Sequence, residues 1–256
     1  MIAKKKEDIA ALREGGRRLA GVLGALAKAA VPGATTTNLN ELAEKLIRKG
    51  GDEPAFLNYM PQGAQRAYPA ALCISVNDEV VHGIPQEKPR TLKEGDIVAL
   101  DLGLTHRGLI VDAAITVPVG KVDAAGKRLI TATRRALAAG IAAATHGKVT
   151  GDVSFAIGAE IKKSGFVPAR DLGGHGVGER VHEEPYIANW GKRGVGTVLV
   201  CGMVLALEPI VNEGTSNIRM TSDGYTIKTK DGKRSAHFEH TILITEGEAE
   251  ILTATK

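Results

Sequence analysis

Four carboxylates lie inside apolar, strand-like runs, and that arrangement limits what this chain can fold into. Asp101 follows Ile97-Val98-Ala99-Leu100 and Asp112 follows Leu109-Ile110-Val111. Glu208 sits within Met203-Val-Leu-Ala-Leu-Glu-Pro-Ile-Val211, and Glu239 within His237-Phe-Glu-His-Thr-Ile-Leu-Ile244. A carboxylate buried alone costs several kcal/mol or takes up a proton. A fold that buries these runs must gather the carboxylates or supply each with a positive partner.

The first two are tied together by local sequence. The runs ending in Asp101 and starting before Asp112 flank Thr105-His-Arg-Gly108, which reads as a hairpin turn. A tight turn centred there places Asp101 opposite Asp112, with Cβ atoms about 5 Å apart on one face of the ladder. Like charges so placed repel, so a shared proton, a basic partner or a cation must neutralise them. This segment alone also admits one Asp turned to solvent.

The second half of the chain narrows the choice. Gly173-Gly-His-Gly-Val-Gly178 frames His175 with glycines, which let backbone approach whatever the imidazole contacts. Two aspartates, two glutamates and one neutral imidazole carry the charge that two divalent cations balance. An oxygen-rich set with a single nitrogen suits Mn, Fe or Co over a thiolate-type zinc site. Two cations held together can clamp a bridging hydroxide, acidify its parent water and polarise a carbonyl. Such a set is built for hydrolysis.

Helical periodicity supplies the frame. Residues 7–29 carry apolar side chains at Ile9, Leu12, Leu19, Val22, Leu23 and Leu26, and Pro32-Gly33 stops them. Thr35–Asn38 caps a second helix that runs to Gly50-Gly51. Strands are expected at 71–76, 79–82, 96–103 and 109–118. A helix then spans Asp123–Thr145, and Asp152 caps another that ends near Gly165. Shifting the chain by 114 residues lays Gly33 on Gly147, Thr36 on Thr150, Asn38 on Asp152 and Gly51 on Gly165. The order of elements repeats as well. The expected class is α+β: one domain over 1–256, in two related halves of about 1–120 and 121–256. Helices would cover the outer face of a mainly antiparallel, curved sheet.

Composition sets the outer limits. Only two cysteines, Cys73 and Cys201, occur among 256 residues, which excludes a disulfide scaffold and a zinc ribbon. Lys4–Lys6 is followed at once by Glu7, Asp8, Arg13 and Glu14, so no signal peptide is read there. No apolar run approaches the ~20 residues of a membrane span. The net charge of +4 fits a solvated face or attraction to a polyanion such as a ribosome surface. A specific nucleic-acid interface would need interleaved aromatics, and aromatic residues make up only 4%.

In its motifs the chain resembles the type I methionine aminopeptidases from end to end, with the short N-terminus of the bacterial subclass. The resemblance runs through Cys73-Ile-Ser-Val-Asn-Asp-Glu-Val-Val-His-Gly-Ile-Pro85, Gly95-Asp-Ile-Val with Leu100-Asp, and Gly173-Gly-His-Gly-Val-Gly. It continues through Val181-His-Glu-Glu-Pro, Leu207-Glu-Pro-Ile-Val, Asp223-Gly-Tyr-Thr-Ile-Lys-Thr-Lys and Phe238-Glu-His-Thr. It implies the pita-bread fold of two pseudo-symmetric halves. It also implies two divalent metal ions (Mn, Fe, Co or Zn), with Asp112 and Glu239 bridging them. Asp101 would complete one metal site, and His175 and Glu208 the other. Glu208 would also move the proton of the attacking water, while His82 and His182 bind the substrate amide and steady the tetrahedral intermediate. Tyr59, Tyr68, Cys73, Val181 and Tyr225 fall at or near the positions that hold the methionine side chain.

Three departures stand out. Val181 occupies a place where a phenylalanine is expected, and Tyr225 one where a tryptophan is common. The stretch between Phe56 and Tyr68 is longer than in simple members. The implied work is removal of initiator methionine from nascent chains with a small second residue, by a cytoplasmic monomer that associates transiently with ribosomes and not with membranes. Two alternatives share the fold: an Xaa-Pro aminopeptidase, and a peptide-binding module without chemistry.

Overall fold

A computed structural model describes residues 1–61 and 63–254. Among the described residues, four helices, α1 (Lys6–Ala29), α2 (Thr36–Lys49), α3 (Ala124–Ala143) and α4 (Thr150–Lys163), accompany strands that pair in antiparallel fashion. Helix α1 forms because its apolar residues recur at helical spacing. Leu12, Leu19, Leu23 and Leu26 are all buried, while Glu7 and Asp8 in the first turn complement the helix dipole. The buried face packs on a long hairpin of strands Ile97–His106 and Leu109–Pro118. Contact is so close at Gly15 that an added Cβ would lie 3.1 Å from the Cβ of His106.

The capping differs from the expectation at one helix, α4. Thr35, at the start of the expected Thr35–Asn38 segment, caps α2, its hydroxyl accepting the Asn38 N–H at 3.2 Å. Asp152 lies inside the first turn of α4 and accepts the Val149 N–H at 3.2 Å. Asp123 caps α3 by accepting the Gly126 N–H at 2.7 Å.

The hairpin register also differs. His106 pairs with Leu109, so the turn is Arg107-Gly108 alone, with φ of 50° and 78°. Two successive positive φ angles mark the type I′ turn that matches strand twist. The strand therefore continues through Thr105 and His106, and Asp101 pairs with Ala114 while Asp112 pairs with Gly103. Because the register moves by two residues, both aspartates keep the same face. They are diagonal neighbours, about 7–8 Å apart at Cα, not directly opposed.

The 114-residue shift reappears in the backbone. Helices α2 and α4 each have 14 residues, starting at Thr36 and Thr150. Gly33 and Gly147, and again Gly51 and Gly165, have positive φ. The Gly33 N–H donates to Leu92 and the Gly147 N–H to Leu199, both at 2.9 Å. The two largest apolar cores follow the same division. One joins α1 and α2 to the long hairpin, and the other joins α3 and α4 to strands including Val204–Leu207 and Ile210–Asn212.

A seam links the two parts. Ala114 and Glu239 exchange backbone hydrogen bonds, and Thr116 and Thr241 add hydroxyl bridges on either side. Among the described residues no helix is long and apolar enough to cross a membrane.

Helices α3 and α4 cross closely at Gly140, where a Cβ would meet Ile157 Cγ1 at 2.7 Å. Alanine is intrinsically better than glycine in a helix by about 1 kcal/mol, yet Gly140→Ala is expected to destabilise. Ile157→Ala alone should lose about 2–5 kcal/mol. The double variant should be less destabilised than the sum, because the clashing atom is gone. Urea denaturation of the four proteins measures the coupling; strict additivity would contradict the close crossing.

Candidate active site

Each acidic strand delivers its carboxylate to one cleft of about 870 Å³, lined by Asp101, Asp112, His175, Glu208 and Glu239. Asp112 is fixed on both sides of its peptide: its N–H donates to Thr241 Oγ1 at 2.8 Å, and its C=O accepts from the same hydroxyl at 2.7 Å. Glu239 is fixed by its backbone pairing to Ala114. Donor atoms of Asp112, His175 and Glu239 lie within 4.8 Å of one another, and all three residues are buried. Nε2 of His175 stands 3.5 Å from Glu208 Oε1.

The glycines around His175 have a different use from the one expected. A Cβ on Gly174 would lie 2.3 Å from the Ala206 carbonyl, and one on Gly176 would lie 2.3 Å from that of Glu184. They admit neighbouring strands rather than a ligand. Glycine instead makes the tight approach beside His82: a Cβ on Gly83 would lie 2.0 Å from the Ile74 carbonyl. His82 itself has a φ of 59°, a left-handed conformation that turns the chain out of strand Glu79–Val81. His82 and His182 both line the cleft.

Electrostatics follow from burial. Desolvation first, then neighbouring carboxylates, raise Asp101 and Glu239 well above the usual range. Burial, and for Asp112 the nearby Glu208, push Asp112 and Glu208 up to about 8. Desolvation lowers the imidazoles, His175 to about 3, His82 to about 4, and His182 also downward. One oxygen each of Asp101, Asp112 and Glu239 is buried without a hydrogen-bond partner. Buried oxygens of that kind are the donors a hard cation takes, and the residues fit a divalent metal. The Nδ1–H of His175 donates to the Gly176 carbonyl at 2.9 Å, which leaves Nε2 free to ligate.

An apolar pocket adjoins these groups. Phe56, Tyr68, Cys73, Ile84, Val181 and Tyr225 form one buried apolar cluster, with Tyr59 partly buried against it. Tyr59 OH lies 3.0 Å from His182 Nδ1, and the His182 ring packs edge-on to His175 with centroids 4.5 Å apart. Every site residue expected from the sequence thus lines this one cleft.

Sequence reasoning missed His237 as part of the site. Its Nε2 is buried without a hydrogen-bond partner, 3.4 Å from Glu208 Oε2 and 3.9 Å from Glu239 Oε2. The available signal was its position two residues before Glu239, which puts both on one face of an extended chain. Arg66 was missed too; it pairs with Glu87 and stands 5.7 Å above the Tyr225 ring.

Acidic side chains, neutral imidazoles and unpartnered oxygens in one open cleft define a metal-dependent hydrolase. The sequence matches metallopeptidase family M24 over residues 10–246. The methionine aminopeptidase of Aquifex aeolicus is 43% identical, covering 97% of this chain and 96% of that protein. The crystal structure of the Thermotoga maritima methionine aminopeptidase superposes with a TM-score of 0.93 at 44% identity, covering all of both chains. A prolidase from Pyrococcus furiosus shares the fold (TM-score 0.76), but at 23% identity, and this chain covers 66% of it. The chain belongs to metallopeptidase family M24 and, within it, to the methionine aminopeptidases.

Removing metal exposes the stored repulsion. Between about pH 4 and 8 the folded state keeps protons on Asp112 and Glu208 that the unfolded chain has released, so stability falls as pH rises. The depressed His175, His82 and His237 work in the opposite sense, but only below their ordinary value of 6.5. Chelator-treated protein should therefore lose thermal stability from about pH 6.5 to 8. Added divalent cation should abolish that loss. A melting temperature that is flat or rising without metal would contradict it.

Proposed function

We propose that the chain holds two divalent cations and uses them to remove N-terminal methionine from newly made polypeptides whose second residue is small. The observation that carries this reading is the convergence of Asp112, His175 and Glu239 donors within 4.8 Å. Asp101, Asp112, His175, Glu208 and Glu239 would hold the ions, with Asp112, His175 and Glu239 at the centre of the set. The oxygen-rich set favours Mn, Fe or Co, with Zn accepted. The ions, when bound, supply an acidified water and a Lewis acid for the scissile carbonyl.

The chain's own residues do the rest. Glu208, held at the ligand cluster with a raised affinity for protons, takes the proton of the attacking water and passes it to the leaving amine. His82 and His182 are kept neutral by desolvation, so each offers an N–H to the substrate amide. Tyr59 orients the His182 ring through its hydroxyl. The cluster of Phe56, Tyr68, Cys73, Val181 and Tyr225 receives the methionine side chain. The 114-residue correspondence of α2 with α4 supports two pseudo-symmetric halves, about 1–120 and 121–256, within one domain. The reading also places the work in the cytoplasm, by a monomer that visits ribosomes transiently.

Metal-stripped protein with Mn, Fe, Co or Zn restored should release methionine from Met-Ala-Ser and leave Leu-Ala-Ser and Ala-Pro-Ala largely intact. Turnover of Ala-Pro-Ala instead would favour an Xaa-Pro enzyme, and no turnover with any metal a binding module. Glu208→Gln should lower kcat by about 10²–10⁴ with little change in KM. Metal content measured on the same variant separates lost proton transfer from lost metal.

A further inference from the structure

Away from the cleft, three further donors meet at the other end of the strands that lead to Glu208 and Glu239. Cys201 precedes strand Val204–Leu207, which runs directly to Glu208. Glu246 follows strand His240–Leu243, which begins directly after Glu239. The two strands pair, Leu207 with His240 and Val204 with Leu243, so Cys201 and Glu246 are brought together at the far end. His146 comes from the turn between α3 and α4. One donor atom from each of His146, Cys201 and Glu246 lies within 4.8 Å of the others. Along an extended strand, the seven residues from Cys201 to Glu208 place this cluster about 20 Å from the catalytic carboxylates.

The cluster is held by main chain. The Cys201 N–H donates to His146 Nδ1 at 3.2 Å, and Cys201 Sγ lies 3.1 Å from Glu246 Oε1. Gly147 N–H donates to Leu199 at 2.9 Å, Leu199 N–H to Lys148 at 2.7 Å, and Gly202 N–H to Ile244 at 2.9 Å. Three loops distant in sequence are thereby fixed beside one another. The Nδ1 lone pair thus faces Cys201 and carries no proton, and a cation that takes it displaces the Cys201 N–H.

We propose that His146, Cys201 and Glu246 form a second, peripheral site for a zinc-type divalent cation, with water as the fourth ligand. One sulfur, one nitrogen and one oxygen donor suit a borderline cation in tetrahedral geometry. This chemistry is distinct from the oxygen-rich set in the cleft. Binding releases the thiol proton to solvent, and ligand bonds from Sγ, Nδ1 and the Glu246 carboxylate replace the Sγ–carboxylate and N–H to Nδ1 hydrogen bonds. The ion pins the α3–α4 turn to the ends of both strands, and so stabilises the folded state by mass action.

Cobalt is the spectroscopic probe, because only thiolate ligation gives a strong near-ultraviolet charge-transfer band. Titrating chelator-treated full-length protein with Co²⁺ should produce that band, and Zn²⁺ should bleach it. The band should persist in Cys73→Ser and vanish in Cys201→Ser and in His146→Ala, which keeps the thiol. Zn²⁺ should also slow modification of Cys201 by a thiol reagent about tenfold in wild type and not in His146→Ala. The proposal is overturned by the absence of a band, by a band that survives in Cys201→Ser, or by thiol reactivity that ignores zinc.

Discussion

Thr241 grips Asp112 through one hydroxyl that accepts from the residue's N–H and donates to its C=O, and Thr116 does the same for His237. Between these two bridges, Ala114 and Glu239 exchange their main-chain hydrogen bonds. Everything in the cleft depends on this seam. It joins the hairpin of the first part of the chain to the last long strand, and it aims Asp112 and Glu239 at the same point. Two carboxylates that close would push such a seam apart if both were charged and alone. The fold therefore makes sense as a holder for positive charge: its hydrogen bonds lie in the backbone, leaving carboxylate oxygens without partners.

Much of this was legible in the sequence, and the reason is local. Carboxylates inside apolar runs, helix periodicity and the recurrence at 114 residues are all properties of short segments. What was misread depends on register and on partners far along the chain. The hairpin turn is Arg107-Gly108 because that pair accepts two positive φ angles, and strand pairing then continues through Thr105 and His106. The shift by two residues preserved the face on which both aspartates lie, so the site survived an incorrect pairing. The glycines around His175 look like ligand-approach glycines in sequence, but they clear the carbonyls of Ala206 and Glu184. No local pattern names those carbonyls. His237 was overlooked for a related cause, since a histidine in an apolar run usually satisfies itself within the core.

The imidazoles of the cleft share one electrostatic design. Burial keeps His82, His175 and His237 neutral well below neutral pH. Surrounded by carboxylates, a histidine would ordinarily gain a proton and form ion pairs with them. Here desolvation outweighs that attraction, so the negative charge stays available to a cation. His175 contributes a lone pair while spending its N–H on the Gly176 carbonyl. Proton-poor histidines and proton-hungry carboxylates thus express one condition: the cluster is complete only with metal present.

The apolar character of the adjoining pocket rests on how its hydroxyls are spent. Tyr68 donates to the Gly83 carbonyl at 2.8 Å, and the Tyr225 hydroxyl donates to that of Arg66. Both rings therefore turn apolar faces, packed edge to face at 5.2 Å, toward the cleft. With Cys73, Phe56 and Val181 buried in the same cluster, the wall can discriminate only by shape. Shape alone separates side chains that differ by a methylene by about 1–3 kcal/mol. Val181 leaves more room than the phenylalanine expected there, but Arg66 stands over the Tyr225 ring and is anchored to both Glu87 and the Asp223 carbonyl. The Tyr225 hydroxyl holds the carbonyl of the same arginine. Space opened on one wall is thus bounded from another, by a side chain that Glu87 and the Asp223 carbonyl hold in place.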